Sequence, residues 1–279
     1  MFELNYTAPH GGVLRLADNA DFILTGVDGL TEATVNISSS EIAAKDGDVI
    51  NSTRTEPRGM VLYFTMRQGR NVEEAKRNIL SVIKPKQTGT LYWKQNGRAL
   101  EIAGTVEEIS MPRFNDNVVM QITLYCSKPY WSDAEYIIKQ IELVIKMHRF
   151  VLAFPQGSGT VFGRYNLDLT RSFENTGDVA VGLNITIIAT GDVKNPLLER
   201  SDGLYFGLTE TMVAGDVIEI TTTRGQKTVK KNGENIIAKV IPGSTWLQLE
   251  VGDNTFTISD ESGNMNNMYF SFKYKQEYV

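Results

Sequence analysis

The side chains that most often do chemistry are scarce in this chain. It has two histidines, His10 and His148, and one cysteine, Cys126. A hydrolytic triad needs a nucleophile, a base and a group that orients the base, and neither histidine lies in a motif that supplies these partners. We therefore expect both histidines to be surface residues and Cys126, in a strand-like run, to be a small buried hydrophobic residue. The sequence predicts no catalytic residue.

Patterns that hold metals or phosphates are also missing. A single cysteine excludes a multi-cysteine zinc site. Residues 157–163 resemble a phosphate loop but lack the closing Gly-Lys-Ser/Thr, so a loop or hinge is predicted there. Residues 46–48 and 260–264 resemble calcium loops but lack the sixth-position Gly and closing Glu of an EF-hand, which favours solvated turns. The sequence predicts no metal ligand, no cofactor-binding residue and no cofactor.

Trp246 is a candidate for sugar binding. Alternation along residues 246–251 predicts a strand with Leu247, Leu249 and Val251 on one face and Trp246 on the other. An outward Trp can stack on a sugar ring or lie at a subunit surface, and partial cover by a neighbouring strand or loop is the alternative. The sequence leaves both open.

Length and composition limit the possible classes. The 279 residues suggest about two domains, and 42% hydrophobic with 22% charged residues is typical of a folded protein. The net charge of −5 argues against a protein that binds nucleic acid by neutralising phosphates. Because neither a signal peptide nor an apolar run of about 20 residues is visible, we expect synthesis in a cytosol and no membrane insertion.

Two stretches predict helices. Apolar residues recur at helical spacing over residues 72–83, with Asn71 as the N-cap and Pro85 as the stop. A second apolar stripe, over residues 137–145, predicts another helix beginning at Ser132 or Asp133.

Strand patterns dominate the rest of the chain. Asn96-Gly97 and Asn232-Gly233 predict tight hairpin turns. Residues 38–54 are too long and polar for a tight hairpin, and we expect a protruding loop or arm there that embraces the next subunit. One face of the last long strand is apolar, with Met268, Phe270, Phe272 and Tyr274, and Ser271, Lys273 and Lys275 lie on the other.

These patterns predict a mainly β protein with one or two helices. Residues 1–131 form an α+β or β-sandwich domain in this interpretation, and residues 132–165 form a junction or arm. Residues 166–279 have short strands at intervals of about 8–12 residues, which favours a second β-sandwich.

The order of several motifs resembles one known family. They are Glu-Pro-Arg-Gly-Met-Val-Leu-Tyr-Phe at residues 56–64, a helix ending before Pro85, the hairpin Trp93…Asn96-Gly97, Leu-Tyr-Cys-Ser-Lys-Pro-Tyr-Trp at 124–131, Phe-Glu-Asn-Thr-Gly-Asp at 173–178, Ser-Thr-Trp at 244–246 and Gly-Asp-Asn at 252–254. Over nearly its whole length the chain is similar to phage distal tail proteins (Dit).

The resemblance implies a structural virion protein rather than an enzyme. Such proteins form a hexameric ring at the distal end of a long tail. The N-terminal domain, residues 1–131 here, builds the ring, and a galectin-like C-terminal sandwich projects outward.

The implied partners are other copies of the chain, the tail tube protein, tail-tip or tail-associated proteins, and receptor-binding or baseplate proteins. The genome passes through the ring without specific binding, and the protein, made in the bacterial host cytoplasm, ends in the virion tail. The alternatives are a carbohydrate-binding adhesin module of a baseplate, the equivalent ring of a contractile phage-tail-like bacteriocin and, least favoured, a tail-associated hydrolase.

Overall fold

The computed structural model describes residues 2–42, 46–110, 119–141, 144–146, 163–165, 169–263 and 267–279. Within them the chain is mainly β, as predicted, with one α-helix. It divides into two compact units: unit 1 is Met1–Ala134 with Glu277–Val279, and unit 2 is Glu135–Gln276.

Unit 1 contains the first ten strands and the helix. They are β1 (Glu3–Thr7), β2 (Val13–Arg15), β3 (Phe22–Asp28), β4 (Val35–Glu41), β5 (Asp48–Thr55), β6 (Arg58–Met66), α1 (Val72–Val82), β7 (Thr88–Gln95), β8 (Arg98–Ser110), β9 (Val119–Cys126) and β10 (Trp131–Asp133).

Unit 2 contains strands β11 to β26 and a short 3-10 helix, and the last strand, β27, returns to unit 1. They are β11 (Ile137–Ile141), β12 (Val144–Lys146), β13 (Gly163–Tyr165), β14 (Thr170–Asn175), β15 (Val181–Gly182), β16 (Asn184–Ala189), β17 (Val193–Lys194), β18 (Leu197–Arg200), β19 (Tyr205–Gly207), β20 (Thr211–Met212), β21 (Val217–Thr221), β22 (Thr228–Lys231), β23 (Glu234–Asn235), the 3-10 helix Ile237–Lys239, β24 (Gln248–Leu249), β25 (Gly252–Ser259), β26 (Met268–Tyr274) and β27 (Glu277–Tyr278).

Unit 1 is built on one antiparallel sheet. Its order is β2-β1-β7-β8-β9-β6-β3, with β10 beside β8 and β27 beside β10. Along β6 and β9 every second residue is buried, because strand side chains alternate between faces. The fully buried residues Leu62 and Phe64 pair with Ile122 and Met120 on β9. This alternation puts the apolar half of each strand into one core.

The helix prediction over residues 72–83 is confirmed. The Asn71 carboxamide accepts the backbone N–H groups of Glu73, at 3.0 Å, and Glu74, at 3.3 Å. These bonds satisfy donors that have no partner inside a helix. Ile79 is buried in the core of unit 1.

Unit 2 contains two main sheets that share a core. One sheet has the order β11-β26-β16-β21-β22-β23 and the other the order β14-β25-β18-β19. Buried side chains from both, such as Ile187 and Phe270 from the first and Phe256 from the second, belong to one apolar cluster. Two sheets whose inner faces meet in this way form a β-sandwich.

The helix predicted over residues 137–145 is wrong. Residues 137–141 form strand β11, paired with β26 so that Ile141 lies opposite Phe270 and is buried, and residues 144–146 form β12. Ile137 and Ile141 fit a helical repeat, but they also share one face of a strand, and isoleucine favours strands. His148 and all of the 157–163 loop except Gly163 lie outside the described residues.

Candidate functional site

Strands β4 and β5 form an antiparallel pair that joins no other sheet of the described chain. We call this pair the arm. Residues 38–54, expected to be a protruding loop or arm, fall mostly on the paired strands. Only Thr55 among the strand residues of the arm is partly buried, and the others are exposed. The paired and exposed strands agree with the second alternative, an arm, rather than with an irregular loop.

The two faces of the arm differ in polarity. The register places Val35, Ile37 and Ile50 on one face, where they are 50%, 57% and 61% exposed. The second face holds one aliphatic side chain, Val49, among polar ones such as Arg54. A two-stranded ladder is marginal in water by itself, and three neighbouring aliphatic side chains on one face are a surface that favours a protein partner.

Arg58, the first residue of β6, holds the base of the arm. Its Nε donates to the Pro129 carbonyl at 2.7 Å, and its Nη1 donates to the carbonyls of Gly29, at 3.1 Å, and Leu30, at 2.9 Å. The side chain is buried, and burial lowers the pKa of the guanidinium. Its Nη2 has no partner among the described residues. The buried guanidinium therefore donates to neutral backbone carbonyls, and these hydrogen bonds fix the chain where it enters the arm.

Three further hydrogen bonds hold the same place. Trp131 Nε1 donates to the Leu30 carbonyl at 2.9 Å, and the Tyr130 hydroxyl donates to Thr55 Oγ1 at 3.0 Å. The backbone N–H of Glu56 donates to the Thr34 carbonyl at 2.8 Å. We call Arg58, Tyr130, Trp131 and their partners the arm root.

Gly29 is required at the root by both its backbone conformation and its surroundings. Its φ of +76° is in the left-handed region, and an added Cβ would lie 2.0 Å from the Gly59 carbonyl oxygen. The root therefore combines a close backbone approach with a buried arginine. The result is an anchored base and an exposed arm.

The residues that the sequence offered for chemistry are not brought together. His10 is exposed, and its Nδ1 lies 3.1 Å from Gln87 Nε2. Cys126 is buried, as predicted, and burial raises the pKa of its thiol to about 11. No group of three or more His, Cys, Asp or Glu side chains in the described ranges is arranged to hold a metal ion. No helix in those ranges is long and apolar enough to cross a membrane.

Trp246 is not the outward strand residue that alternation predicts. Strand β24 covers only Gln248–Leu249, and Trp246 precedes it, partly buried, with its ring 5.1 Å from that of Phe206. Leu247 and Leu249 are buried as predicted, whereas Val251 is exposed. The structure therefore agrees with the second alternative, in which Trp246 is partly covered by neighbouring residues.

Unit 2 holds its own buried arginine with carboxylates. Arg200 donates from Nε to Asp202 Oδ2 at 3.0 Å and from Nη2 to the same oxygen at 2.6 Å. Nη1 donates to the Gln248 carbonyl at 2.8 Å and lies 3.4 Å from Glu250 Oε1. Hydrogen bonding to Asp202 is the main cause that raises the pKa of Arg200, and the same contact lowers the pKa of Asp202.

A second carboxylate of unit 2 closes a turn. Asp216 accepts the Val213 backbone N–H at 2.9 Å and Asn232 Nδ2 at 2.8 Å, and it pairs with Lys231 at 3.2 Å. These hydrogen bonds, that from Val213 first, lower the pKa of Asp216 to about 2.

The sandwich of unit 2 matches a known family of domains. Residues 176–278 match the family model described as Siphovirus-type tail component, C-terminal domain. This range runs from just after β14 to the end of β27, and it includes most strands of the sandwich. Most of unit 2 is therefore similar to tail-component domains of the siphovirus type.

The likeness to solved structures extends over the whole chain. The crystal structure of phage SPP1 Dit (gp 19.1), described as a paradigm of the hub adsorption apparatus in Gram-positive infecting phages, has a TM-score of 0.70 and 12% identity, covering 100% of both chains. The phage P2 baseplate in its activated conformation gives TM-scores of 0.52 with Ca (11% identity) and 0.50 with Sr (10% identity), each covering 99% of this chain and 98% of the other. At these identities the likeness is one of fold. No curated protein sequence matches the chain.

The family model and the full-length likeness in fold together confirm the resemblance to phage distal tail proteins. They support a structural role in the tail or baseplate of a phage.

Proposed function

We propose that the chain forms the distal tail ring, a hexamer that joins the tail tube to the baseplate or tail tip. The observation that carries this proposal is the arm: an anchored hairpin whose aliphatic face, with Val35, Ile37 and Ile50, has no cover in the described chain. In a ring each arm lies on the next subunit, because a cyclic assembly uses a heterologous contact in which one surface fits a different surface of the neighbour.

In this proposal the two units have different tasks. Unit 1 carries the arm and builds the ring, and unit 2 is the outward platform on which receptor-binding or other baseplate proteins dock. The name of the SPP1 relative, a hub protein, supports this assignment. The net charge of −5 is consistent with a ring that passes the genome without holding it, because an acidic surface repels phosphates.

The proposed function is not enzymatic. The described part of the chain brings neither His10 nor Cys126 near a second group of a catalytic set, and the matched family is a structural tail component. The carbohydrate-binding alternative based on Trp246 has lost its main argument, since that ring packs on Phe206.

The test is the assembly state of the full chain and of arm variants. Light scattering after size exclusion, with negative-stain images, is expected to show hexameric rings for the natural chain. The double variant Ile37→Ser with Ile50→Ser removes the aliphatic face and is expected to remain folded but not to form rings.

The matched control changes the second face of the arm, with Asn36→Ala and Ser52→Ala, and should still form rings. A natural chain that stays monomeric at high concentration, and is also found as single copies in intact particles, would contradict the proposal. Rings of equal stability in the Ile37/Ile50 variant would contradict the role of the arm.

A further inference from the structure

The outer face of the six-stranded sheet in unit 2 carries a polar groove. Across four adjacent strands the register places Lys273, Asn184, Thr221 and Thr228 side by side. The next row contains Thr186, Glu219 and Lys230. These side chains line a depression of about 370 Å³. They lie on the side opposite the buried residues Ile185, Ile220 and Phe272, so the groove is separate from the core.

The charge of this groove is opposite to that of the whole chain. Lys230 and Lys273 line it, and neither has a carboxylate within 4.0 Å among the described residues. Glu219 is the single carboxylate of the lining and lies opposite Lys230 on the neighbouring strand. Arg224 and Lys227 follow in the turn between β21 and β22. A local excess of cations in a chain of net charge −5 favours an anionic ligand.

An aromatic ring borders the groove on the side of β11. Tyr136 is 50% exposed, and the ammonium of Lys273, which lines the groove, lies 4.1 Å from the centre of its ring. Lys275 Nζ lies 4.6 Å from the same centre. Both ammonium groups lie over the ring, so the ring holds positive charge at the border of the groove, where it can pair with the acidic substituent of a sugar.

We propose that this groove binds an anionic saccharide, a chain of sugar rings carrying carboxylate or phosphate groups. Lys230 and Lys273 pair with the acidic groups, the Thr and Asn side chains of the floor exchange hydrogen bonds with hydroxyls, and the Tyr136 ring holds Lys273 at the border of the groove. The proposal does not depend on ring assembly, because every residue in it belongs to unit 2 of one chain.

The side chains favour a saccharide over a nucleic acid. Single-stranded nucleic acid is held by several stacking aromatics along a basic channel, whereas the lining of this groove includes no aromatic residue. Tyr136 borders the groove, and Tyr269 lies on the same face beyond the row of Thr186. The floor is rich in hydroxyl and amide groups, which match a ligand with many hydroxyls. Glu219 also repels a dense row of phosphates.

The experiment measures binding of tetragalacturonate to the full chain by isothermal titration calorimetry, with neutral maltotetraose as the uncharged comparison. We expect saturable binding with a Kd near 1 mM or below, that is about 4 kcal/mol, much weaker binding of maltotetraose, and a loss of affinity as salt is raised. The variant Lys230→Gln with Lys273→Gln is expected to bind about tenfold more weakly, since each exposed pair changes affinity by roughly two- to fivefold.

The matched control removes the same two charges from other places in unit 2. Lys139 is exposed on β11 but alternates with the outward residues of that strand, and Lys239 lies in the 3-10 helix. The variant Lys139→Gln with Lys239→Gln should bind like the natural chain, and Tyr136→Ala should weaken binding more than Tyr136→Phe. Circular dichroism establishes that each variant is folded.

Three results would overturn the proposal: no saturable binding at about 10 mM sugar, equal losses in the groove and control variants, or equal affinity for single-stranded DNA of matched charge. None of them bears on the ring, which is judged by mass and images alone.

Discussion

Two buried arginines, one in each unit, are held in opposite ways. Arg58 is 4% exposed and Arg200 8%. Every hydrogen bond of Arg58 ends on a backbone carbonyl, whereas Arg200 bonds to Asp202 and Glu250 as well as to a carbonyl. The pKa of Arg58 is lowered, chiefly by burial, and that of Arg200 is raised, chiefly by its hydrogen bond to Asp202.

The two arginines differ in what happens to their acceptors when the arginine is removed. The carboxylates around Arg200 are themselves half-exposed, so they remain hydrated if the arginine is lost. The carbonyls around Arg58 lie where the chain enters the arm and turns into β10, and Arg58 is what joins them. The arm root therefore depends on the geometry between one cation and neutral carbonyls, whereas the Arg200 contact is an ion pair that depends on pH.

The largest expected effect comes from the backbone of the root. Gly29→Ala places a Cβ 2.0 Å from the Gly59 carbonyl oxygen in a left-handed conformation. Because neither the Cβ nor the Gly59 backbone oxygen can move away by a side-chain rotation, we expect the free energy of unfolding of unit 1 to fall by about 4 kcal/mol. Hydrogen exchange measured by mass spectrometry reports the loss in unit 1 peptides separately from unit 2.

Gly47→Ala is the control for Gly29. Gly47 also has a positive φ, of +91°, but nothing lies within 4 Å of an added Cβ. We expect a cost of about 1 kcal/mol, confined to the arm. Equal effects of the two substitutions would show that conformation alone, and not the close approach, makes Gly29 necessary.

The next effect compares the two arginines directly. Arg58→Met removes the donor to three carbonyls and should destabilise unit 1 by about 3 kcal/mol, while Arg200→Met should cost unit 2 only about 1 kcal/mol because its partners stay in water. Denaturant unfolding followed by hydrogen exchange measures both. Arg58→Lys should restore little of the lost stability of unit 1, since an ammonium cannot reach three fixed acceptors as a planar guanidinium does.

Acid should weaken unit 2 before it affects the arm root. The pKa of Asp216 is lowered to about 2, and that of Asp202 is lowered too. A carboxylate with a lowered folded-state pKa stabilises the fold fully above its unfolded pKa of about 4, and the contribution is lost as pH falls towards the folded value.

The measurement is the melting temperature of the natural chain and of Asp216→Asn between pH 6 and pH 2. The natural chain should be the more stable at pH 6, and the difference should shrink from about pH 4 to about pH 2. A difference that stays constant over this range would mean that the charge of Asp216 does not stabilise the fold.

The smallest expected effect on the fold is at the outer part of the arm. Arg54→Met and Ile50→Ser change exposed side chains on opposite faces, and each should alter the free energy of unfolding of unit 1 by less than about 0.5 kcal/mol. The comparison of Arg54 with Arg58, four residues apart in sequence, shows how strongly burial decides the effect. A large loss in either arm variant would mean that the arm supports the fold of its own subunit.

Local signals were enough to predict much of the fold. Helix α1 follows from the cap at Asn71 and the apolar spacing, and the turns at Asn96-Gly97 and Asn232-Gly233 have the positive φ values that these residues tolerate. The apolar face of β26 was also predictable, because alternation needs no knowledge of the neighbouring strand.

The features that the sequence did not predict depend on contacts between residues far apart in the chain. Residues 137–141 became a strand because β26 pairs with them, and Ile137 and Ile141 satisfy both periods. Arg58 finds its acceptors 28, 29 and 71 residues away, so no local motif announces the arm root. The groove of unit 2 has the same origin, since only the register of four strands brings Lys273 beside Asn184 and Thr221.

The pairing of strand β27 decides to which unit a protein fused at this end of the chain is attached. Glu277 and Tyr278 pair with Ser132 and Trp131, and Arg98 lies 3.5 Å over the Tyr278 ring. Unit 2 is thus an insertion between Ala134 and Glu277, and a reporter fused to the final residue attaches to unit 1. Cargo meant for unit 2 is better spliced into an exposed turn such as the one at Gly225, where an added Cβ would have no atom within 4 Å.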